Sequence, residues 1–425
     1  MRRIKANRWV VLAVLFLFSL LHQADRLLIG PLTTSIMNAF NINEAQMGAA
    51  LSGALLVGGV LFPVWGYLFD RYSRPRLIAL AAAIWGATTW FSAISPSYGW
   101  FVTTRASTGV DDASYPGVYS LLADYFLPRI RGRIYALLKL AIPLGYILGA
   151  TLATILGTRL GWRNVFRFTG ASGLILAILI LIFVRDVPRG ATEPGFKDLI
   201  EIKGARFSWT TARGLLKRKT LVALYAQGFF AVFPINVVTF WLFRYLEVER
   251  GYEGGFLLGI MAITVLSLGA GLQVGGALGD WLFQKNLRGG RLLAGAGTII
   301  GVVLLIMALF TSRENALMFS ILVAVGAFFS AFVSPNVGAT ISDISLPEVR
   351  STSLAIQSLI ETTGTALAPL VAGLLAARSD LRTAFIIIIV CATVLWLPCY
   401  GIALANVSSD VEQTRAELLS RKDHY

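Results

Sequence analysis

The sequence is poor in the residues on which metal proteins and many enzymes rely. Only two histidines and two cysteines occur in 425 residues, so no cluster has metal-ligand spacing. The cysteines, Cys391 and Cys399, lie eight residues apart in one apolar run. On a helix that is roughly 12 Å, too far for a disulfide. No phosphate-binding Walker loop is present, which argues against a nucleotide-driven pump. Charged residues make up 14% of the chain, against about 25% in soluble domains. Nothing points to an enzyme, and no cofactor or metal is expected.

Apolar residues are in excess. They make up 56% of the chain, and mean hydropathy is +0.70. A spanning helix needs about 20 mostly apolar residues, and such stretches recur from Trp9 to Ala405 with short polar breaks. They predict an all-α membrane protein of about twelve spans, near 9–37, 46–69, 76–95, 98–123, 133–157, 163–185, 219–246, 255–283, 291–311, 315–341, 351–377 and 382–405. The basic start and the run from Trp9 look like a signal peptide, but no small-residue cleavage site follows. The first span is therefore read as retained.

The net charge of +14 is unevenly spread. Arg2, Arg3, Lys5 and Arg8 open one side. Arg71, Arg74 and Arg76, then Arg129, Arg131 and Arg133, then the segment 185–219, then Lys285, Arg288 and Arg291 return to it. Of 37 Lys and Arg, 26 fall on this side, seven in opposite loops and four inside spans. Such alternation argues against nucleic acid as the partner of this charge. By the positive-inside rule the rich side is cytoplasmic, and both termini lie there. The expected location is the plasma membrane.

The chain reads as two halves: 1–187, a basic linker 188–218, 219–405, and a cytoplasmic tail 406–425. The linker can lie on the anionic inner leaflet or be a solvated connection. Gly66 and Asp70 end the second span as Gly276 and Asp280 end the eighth. Asp124, Pro128 and Arg131 after span four match Asp343, Pro347 and Arg350 after span ten. The offsets, 280 − 70 = 210 and 343 − 124 = 219, are those of an internal duplication.

Two parallel six-span repeats joined by a basic loop are the layout of the major facilitator superfamily, with a substrate site between the halves. Gly66-Tyr-Leu-Phe-Asp70-Arg71-Tyr-Ser-Arg74-Pro-Arg76 resembles that superfamily's signature between spans two and three. The resemblance implies a cytoplasmic gate involving Gly66, Asp70, Arg71, Arg74, Asp124, Arg131, Asp280, Asp343 and Arg350. Arg105-Ala-Ser-Thr-Gly109-Val-Asp111-Asp112 resembles a span-four signature whose arginine serves substrate binding or proton coupling. Asp112-Ala-Ser-Tyr115-Pro, Ala141-Ile-Pro143-Leu-Gly145 and Pro188-Arg-Gly-Ala-Thr-Glu193 are similar to the spinster family of lysolipid and sphingolipid transporters, as is Ala355-Ile-Gln357 with Gly364 and Pro369. Spinster proteins usually carry Gly-Glu where this chain has Asp111-Asp112, so one acid is shorter and a second is added. The Asp25-Arg26 pair is also similar to anion:cation symporters for sugar acids. Monomers are implied by the superfamily resemblance.

An ionisable side chain at the bilayer centre costs about 2.5–3.5 kcal/mol, so each retained one should be paired, cavity-facing or near an end. Asp25 and Arg26 fall in the middle of span one, about 100° apart, with His22 one turn earlier. Arg105 and Asp112, seven residues apart, share a face with Gly109 and Tyr119, and Asp111 points away. Asp25, Asp112 and Glu361 are the expected proton-coupling carboxylates. Arg26, Arg105, Tyr115, Tyr119, Asn236 and Trp241 are the expected substrate-binding residues. A static Arg–Asp network joining spans one and four, a hydrogen-bonded Glu361, and aromatics that only pack are the structural alternatives. Pro143 with Gly145, Pro234 and Pro369 are candidate bending points. The sequence therefore predicts an alternating-access symporter, proton-coupled, for a small-molecule or lipid substrate with an anionic group. A proton-independent facilitator and a membrane sensor are the competing classes.

Overall fold

The computed structural model describes residues 7–112, 114–126, 128–188, 218–286, 288–345 and 350–422. Helices account for almost all of them, and no strand occurs among the described residues. In chain order they are α1 (Arg8–Leu27), α2 (Ile29–Phe40), α3 (Glu44–Arg71), α4 (Arg74–Ala93), α5 (Tyr98–Asp112), α6 (Tyr115–Tyr125), α7 (Pro128–Lys139), α8 (Ala141–Leu160) and α9 (Trp162–Phe183). Then come α10 (Lys219–Arg244) with a π turn at Tyr245–Glu249, α11 (Gly254–Lys285), α12 (Gly289–Phe310), α13 (Ala316–Ser330), α14 (Val333–Asp343), α15 (Arg350–Ala376) and α16 (Leu381–Lys422). Ten described segments are long and apolar enough to cross a membrane. The other two expected spans are α4, which begins on Arg74 and Arg76, and the α5–α6 pair, which carries Arg105, Asp111, Asp112 and Asp124.

Four expected spans are broken, and the breaks have one chemical cause. A proline lacks the N–H that would bond the carbonyl four residues back, and its ring crowds that carbonyl. α1 stops at Leu27, four residues before Pro31. α5 stops at Asp112, four before Pro116, and α7 at Lys139, four before Pro143. The α13–α14 break falls at Ala331 and Phe332, four and three before Pro335. Of the candidate bending points, Pro143 coincides with a break, whereas Pro234 and Pro369 stay inside continuous helices. The last helix continues beyond Ala405 to Lys422.

The helices form two compact units. The first comprises Met1–Ile202 together with Phe240–Arg244 and Pro369–Ala377. Its core includes Leu15, Phe18, Ile78, Trp85, Val118, Leu122, Phe126 and Ile180. α3 starts on a capping box, in which Gln46 N–H donates to Asn43 Oδ1 (3.0 Å) and Asn43 N–H to Gln46 Oε1 (3.1 Å). Two glycines bring the polar residues of this unit together. A Cβ on Gly145 of α8 would lie 2.7 Å from Gln23 Cβ and 2.8 Å from Leu20 O, so α8 seats directly on the turn of α1 that carries His22 and Gln23. A Cβ on Gly58 of α3 would lie 3.1 Å from Gly109 O and 3.3 Å from Asp112 Cβ, which fixes the end of α5 against α3.

The second unit comprises Lys203–Thr239, Tyr245–Ala368 and Arg378–Tyr425. Leu221, Leu224, Tyr225, Val337, Ile341, Ala403 and Val407 belong to one of its apolar clusters. Arg250 is buried and donates to Ala308 O (3.0 Å), Thr311 O (3.0 Å) and Ser312 O (3.3 Å), which satisfies the exposed carbonyl end of α12.

Candidate functional site

The first unit holds a cavity with charged side chains in its wall, whose lining includes His22, Asp25, Arg26, Trp85, Arg105 and Asp112. Asp25, on α1, is 2% exposed. One oxygen accepts from Thr169 Oγ1 of α9 at 2.6 Å, and the other accepts from Thr89 Oγ1 of α4 at 3.1 Å. Arg105 Nη1 of α5 lies 3.6 Å from Asp25 Oδ2, an ion pair beyond hydrogen-bond distance, and that nitrogen is buried without a hydrogen bond. The guanidinium of Arg105 also sits 5.3 Å over the Phe166 ring. Three helices thus converge on one buried carboxylate. Satisfied acceptors and a nearby cation offset the cost of burying its charge.

Arg26, the next residue, is half-buried at the cavity, and among the described residues it has no hydrogen bond or ion pair. Adjacent helical positions diverge by about 100°, so Asp25 meets α4, α5 and α9 while Arg26 faces open space.

Around His22 the structure corrects the sequence reading. Asp111 does not point away but is fully buried, and its Oδ2 lies 2.5 Å from His22 Nε2. Asp112 Oδ1 lies 3.5 Å from the same nitrogen. The imidazole sits between the two directions in which α5 presents its adjacent acids, so both reach it. Arg105 accordingly pairs with Asp25 and not with Asp112 on its own helix. On the other side of the ring, Tyr115 OH of α6 lies 3.0 Å from His22 Nδ1, and Gln23 Nε2 donates to that hydroxyl at 3.0 Å. His22, Asp111 and Asp112 are the described residues that could hold a metal, with ligand atoms within 4.8 Å of one another.

Other sequence candidates fall elsewhere. Tyr119, expected to bind substrate, packs its ring 5.1 Å from that of Tyr135 and lies outside the cavity lining. Trp241 is fully buried and donates its indole N–H to Pro369 O at 3.1 Å, so it packs instead of lining the cavity. In the second unit, Asn236 Nδ2 donates to Val232 O (2.7 Å) and Thr365 Oγ1 (3.2 Å). Glu361 accepts from Gln357 Nε2 at 2.6 Å, one turn earlier on α15. That unit has its own cavity, mostly apolar, with Phe230, Pro234, Ile235, Val302 and Trp396 in its wall.

Arg74 is the hub of the region expected to gate. It is 2% exposed, pairs with Asp124, lies 3.2 Å from Asp186 Oδ1, and donates to Val187 O (2.6 Å) and Ser120 O (3.3 Å). Asp186 was not singled out in the sequence; its position beside Arg185, just past span six, reads as ordinary interfacial charge. Arg71 is exposed over the Tyr67 ring at 4.6 Å, Asp280 is exposed, and Asp343 is half-buried. Gly66, Asp70, Arg131 and Arg350 lie outside the residues whose surroundings the structure describes. Sequence reasoning also missed Thr89, Thr169 and Gln23, and Arg244 with its contacts to Glu44 (2.7 Å) and Thr34 (2.9 Å), all within the first unit.

Residues 15–312 and 286–418 match the family model of the Major Facilitator Superfamily. The chain is 28% identical to protein spinster of Drosophila melanogaster over 83% of its length, and spans 59% of that protein. It is 28% identical to protein spinster homolog 1 of Homo sapiens, covering 87% of this chain and 73% of the human one. The sphingosine-1-phosphate transporter SPNS2 of Xenopus tropicalis is 25% identical, with 83% and 72% covered. In fold, the chain is similar to a solved bacterial homologue of the human lysosomal transporter spinster, with TM-score 0.78, 20% identity, and 96% and 98% of the two chains covered. The nucleoside transporter NupG is also similar, at TM-score 0.73 and 13% identity, with 93% and 98% covered.

Proposed function

Because the chain belongs to the Major Facilitator Superfamily and is a multi-pass membrane transporter, not an enzyme, we propose that it is a proton-coupled symporter for an amphipathic or small organic anion. The observation that carries this reading is the pair of arginines at one cavity. Arg105 is tied to Asp25, while Arg26 beside it has no partner among the described residues. A cation left unpaired inside a span is costly, and an anionic substrate group is what would relieve it. An anion that draws Arg105 off Asp25 leaves a buried carboxylate without its counter-ion, and such a group takes up a proton. Asp112, at the same cavity, is the second acid of the cycle, and Glu361 is its counterpart in the second unit.

The reading extends to a lipid-like substrate, with an apolar chain beside its anionic group. The likeness to proteins of the spinster type, one of which is described as a sphingosine-1-phosphate transporter, points the same way. Sugar acids and other small carboxylates are the alternative substrates. The charge distribution supports cytoplasmic termini; the plasma membrane is the proposed location, and a monomer is what the superfamily resemblance implies.

One observation favours a second reading. Asp25 is already satisfied by two threonines and an arginine, as a structural lock between helices would be, and the chain would then be a proton-independent facilitator. Uptake of a lysolipid and of a sugar acid into liposomes, with and without an imposed pH gradient, separates these. Flux that requires the gradient supports the symporter. Equal flux without it supports the facilitator.

A further inference from the structure

The ends of α10 and α15 belong to the first unit, as Phe240–Arg244 and Pro369–Ala377, whereas the rest of each helix belongs to the second. α15 changes unit at Pro369, where a missing N–H weakens the helix.

Polar contacts and bare main chain hold these segments in the first unit. Arg244 Nη2 donates to Glu44 Oε1 of α3 at 2.7 Å, and its Nη1 donates to Thr34 Oγ1 of α2 at 2.9 Å. Leu370 N–H of α15 donates to Ser52 Oγ of α3 at 3.1 Å. A Cβ on Gly48 of α3 would lie 2.6 Å from Pro369 O, and one on Gly373 of α15 would lie 2.3 Å from Glu44 O. At these two points α3 and α15 meet without a side chain between them, so they can part without unthreading one.

The ion pair can part as well. The side chains of Arg244 and Glu44 keep 11% and 25% of their exposure. Both charges regain water once separated, and a pair of that kind is a weak tie. Closure also leaves Arg244 Nε buried without a hydrogen bond. Arg74 is the contrast, since it is buried with its acids and would be left as an uncompensated charge if they withdrew.

The position of the pair gives it a use. Ile29, Ala50 and Phe240 line the cavity that holds Arg26 and Arg105. Thr34, Glu44 and Arg244 lie on the same three helices, about one to two turns further along each. Glu44 opens span two and Arg244 closes span seven, so in all three cases the step leads from the cavity toward the membrane face opposite the basic loops.

We propose that Arg244, Glu44 and Thr34 form the latch of a gate between this cavity and that face, closed here and released when the ends of α10 and α15 leave α2 and α3. The latch rests on the alternating-access transport expected of the chain, and on neither proton coupling nor the identity of the substrate.

Ala50→Cys, in full-length protein carrying Cys391→Ser and Cys399→Ser, puts a single thiol in the cavity wall. A membrane-impermeant maleimide is applied, without substrate, to right-side-out vesicles, which present the face opposite the basic loops, and to inside-out vesicles. The ratio of the two labelling rates is read. Glu44→Gln and Arg244→Gln are each expected to raise the ratio about fivefold or more. The double variant adds little beyond Arg244→Gln, because the two changes remove the same bond. Gly373→Ala, which keeps every charge and forces the two main chains apart, moves the ratio the same way. An unchanged or lowered ratio in folded, monodisperse variants overturns the proposal. So do rates that rise equally from both faces, which is the mark of a loosened fold. Flux with and without a pH gradient is scored separately. A raised ratio with gradient-independent flux defeats the coupled reading and leaves the latch standing, and an unchanged ratio with gradient-driven flux does the reverse.

Discussion

Asp25 on α1 and Arg105 on α5 stand 3.6 Å apart at Oδ2 and Nη1, and Thr89 and Thr169 hold the carboxylate from two further helices. Removing the arginine from this arrangement differs from removing a threonine. Arg105→Ala leaves a buried charge without its counter-ion, a loss of about 3–5 kcal/mol. Thr169→Val removes one hydrogen bond and is expected to cost about 1–2 kcal/mol. Thermal unfolding in detergent ranks the two, with Arg105→Ala the less stable.

Arg26 should behave in the opposite way. With no partner among the described residues, Arg26→Ala is expected to leave unfolding unchanged within about 0.5 kcal/mol. It should weaken binding of an anionic substrate roughly tenfold to a hundredfold, the worth of a hydrogen bond to a charged group. Calorimetric binding set beside thermal unfolding checks both halves.

The two arginines flanking Tyr72 and Ser73 should also part company. Arg74 is buried with Asp124, Asp186 and two carbonyls, whereas Arg71 is exposed on Tyr67. Arg74→Ala should destabilise by about 3–5 kcal/mol, and Arg71→Ala by less than about 1 kcal/mol. Asp186→Asn, which keeps the Arg74–Asp124 pair, should fall between them in the same unfolding assay.

Gly145 offers a packing test. A Cβ there would meet Gln23 Cβ and Leu20 O, so Gly145→Ala must push α8 from α1, at about 1–3 kcal/mol for an overpacked contact. The displaced turn carries His22 and Gln23, so the ¹⁵N resonances of the His22 ring should move in this variant although no polar group has been changed.

How much of this was legible in the sequence depends on the kind of interaction. The helical class and the spans follow from hydropathy, since a chain in lipid must satisfy its own backbone. Asp25, Arg26, Arg105 and Asp112 stand out because charge is rare in such spans, and the four do share one cavity. Their pairing was legible in part: an Arg–Asp network joining spans one and four was one of the alternatives, and Arg105 with Asp25 is such a pair. Helical spacing relates residues on one helix, and suggested that Arg105 and Asp112 act together and that Asp111 turns away. The structure pairs each across helices, Arg105 with Asp25 and Asp111 with His22, because the choice depends on which helices are neighbours. Thr89 and Thr169 carry no signal at all in sequence, as a threonine inside a span usually bonds its own helix. The breaks at Pro31, Pro116 and Pro335 were readable from the four-residue rule, but Pro234 and Pro369 show that the rule alone does not decide which prolines interrupt a span.

The most direct test of the account is proton movement into liposomes when substrate is added, lysolipid against sugar acid, with wild type beside Asp112→Asn. The account predicts that one substrate class drives protons inward with wild type and that the movement is lost in the variant. Equal substrate flux in both proteins, with no proton movement in either, would contradict it and make Asp112 a structural residue of a facilitator.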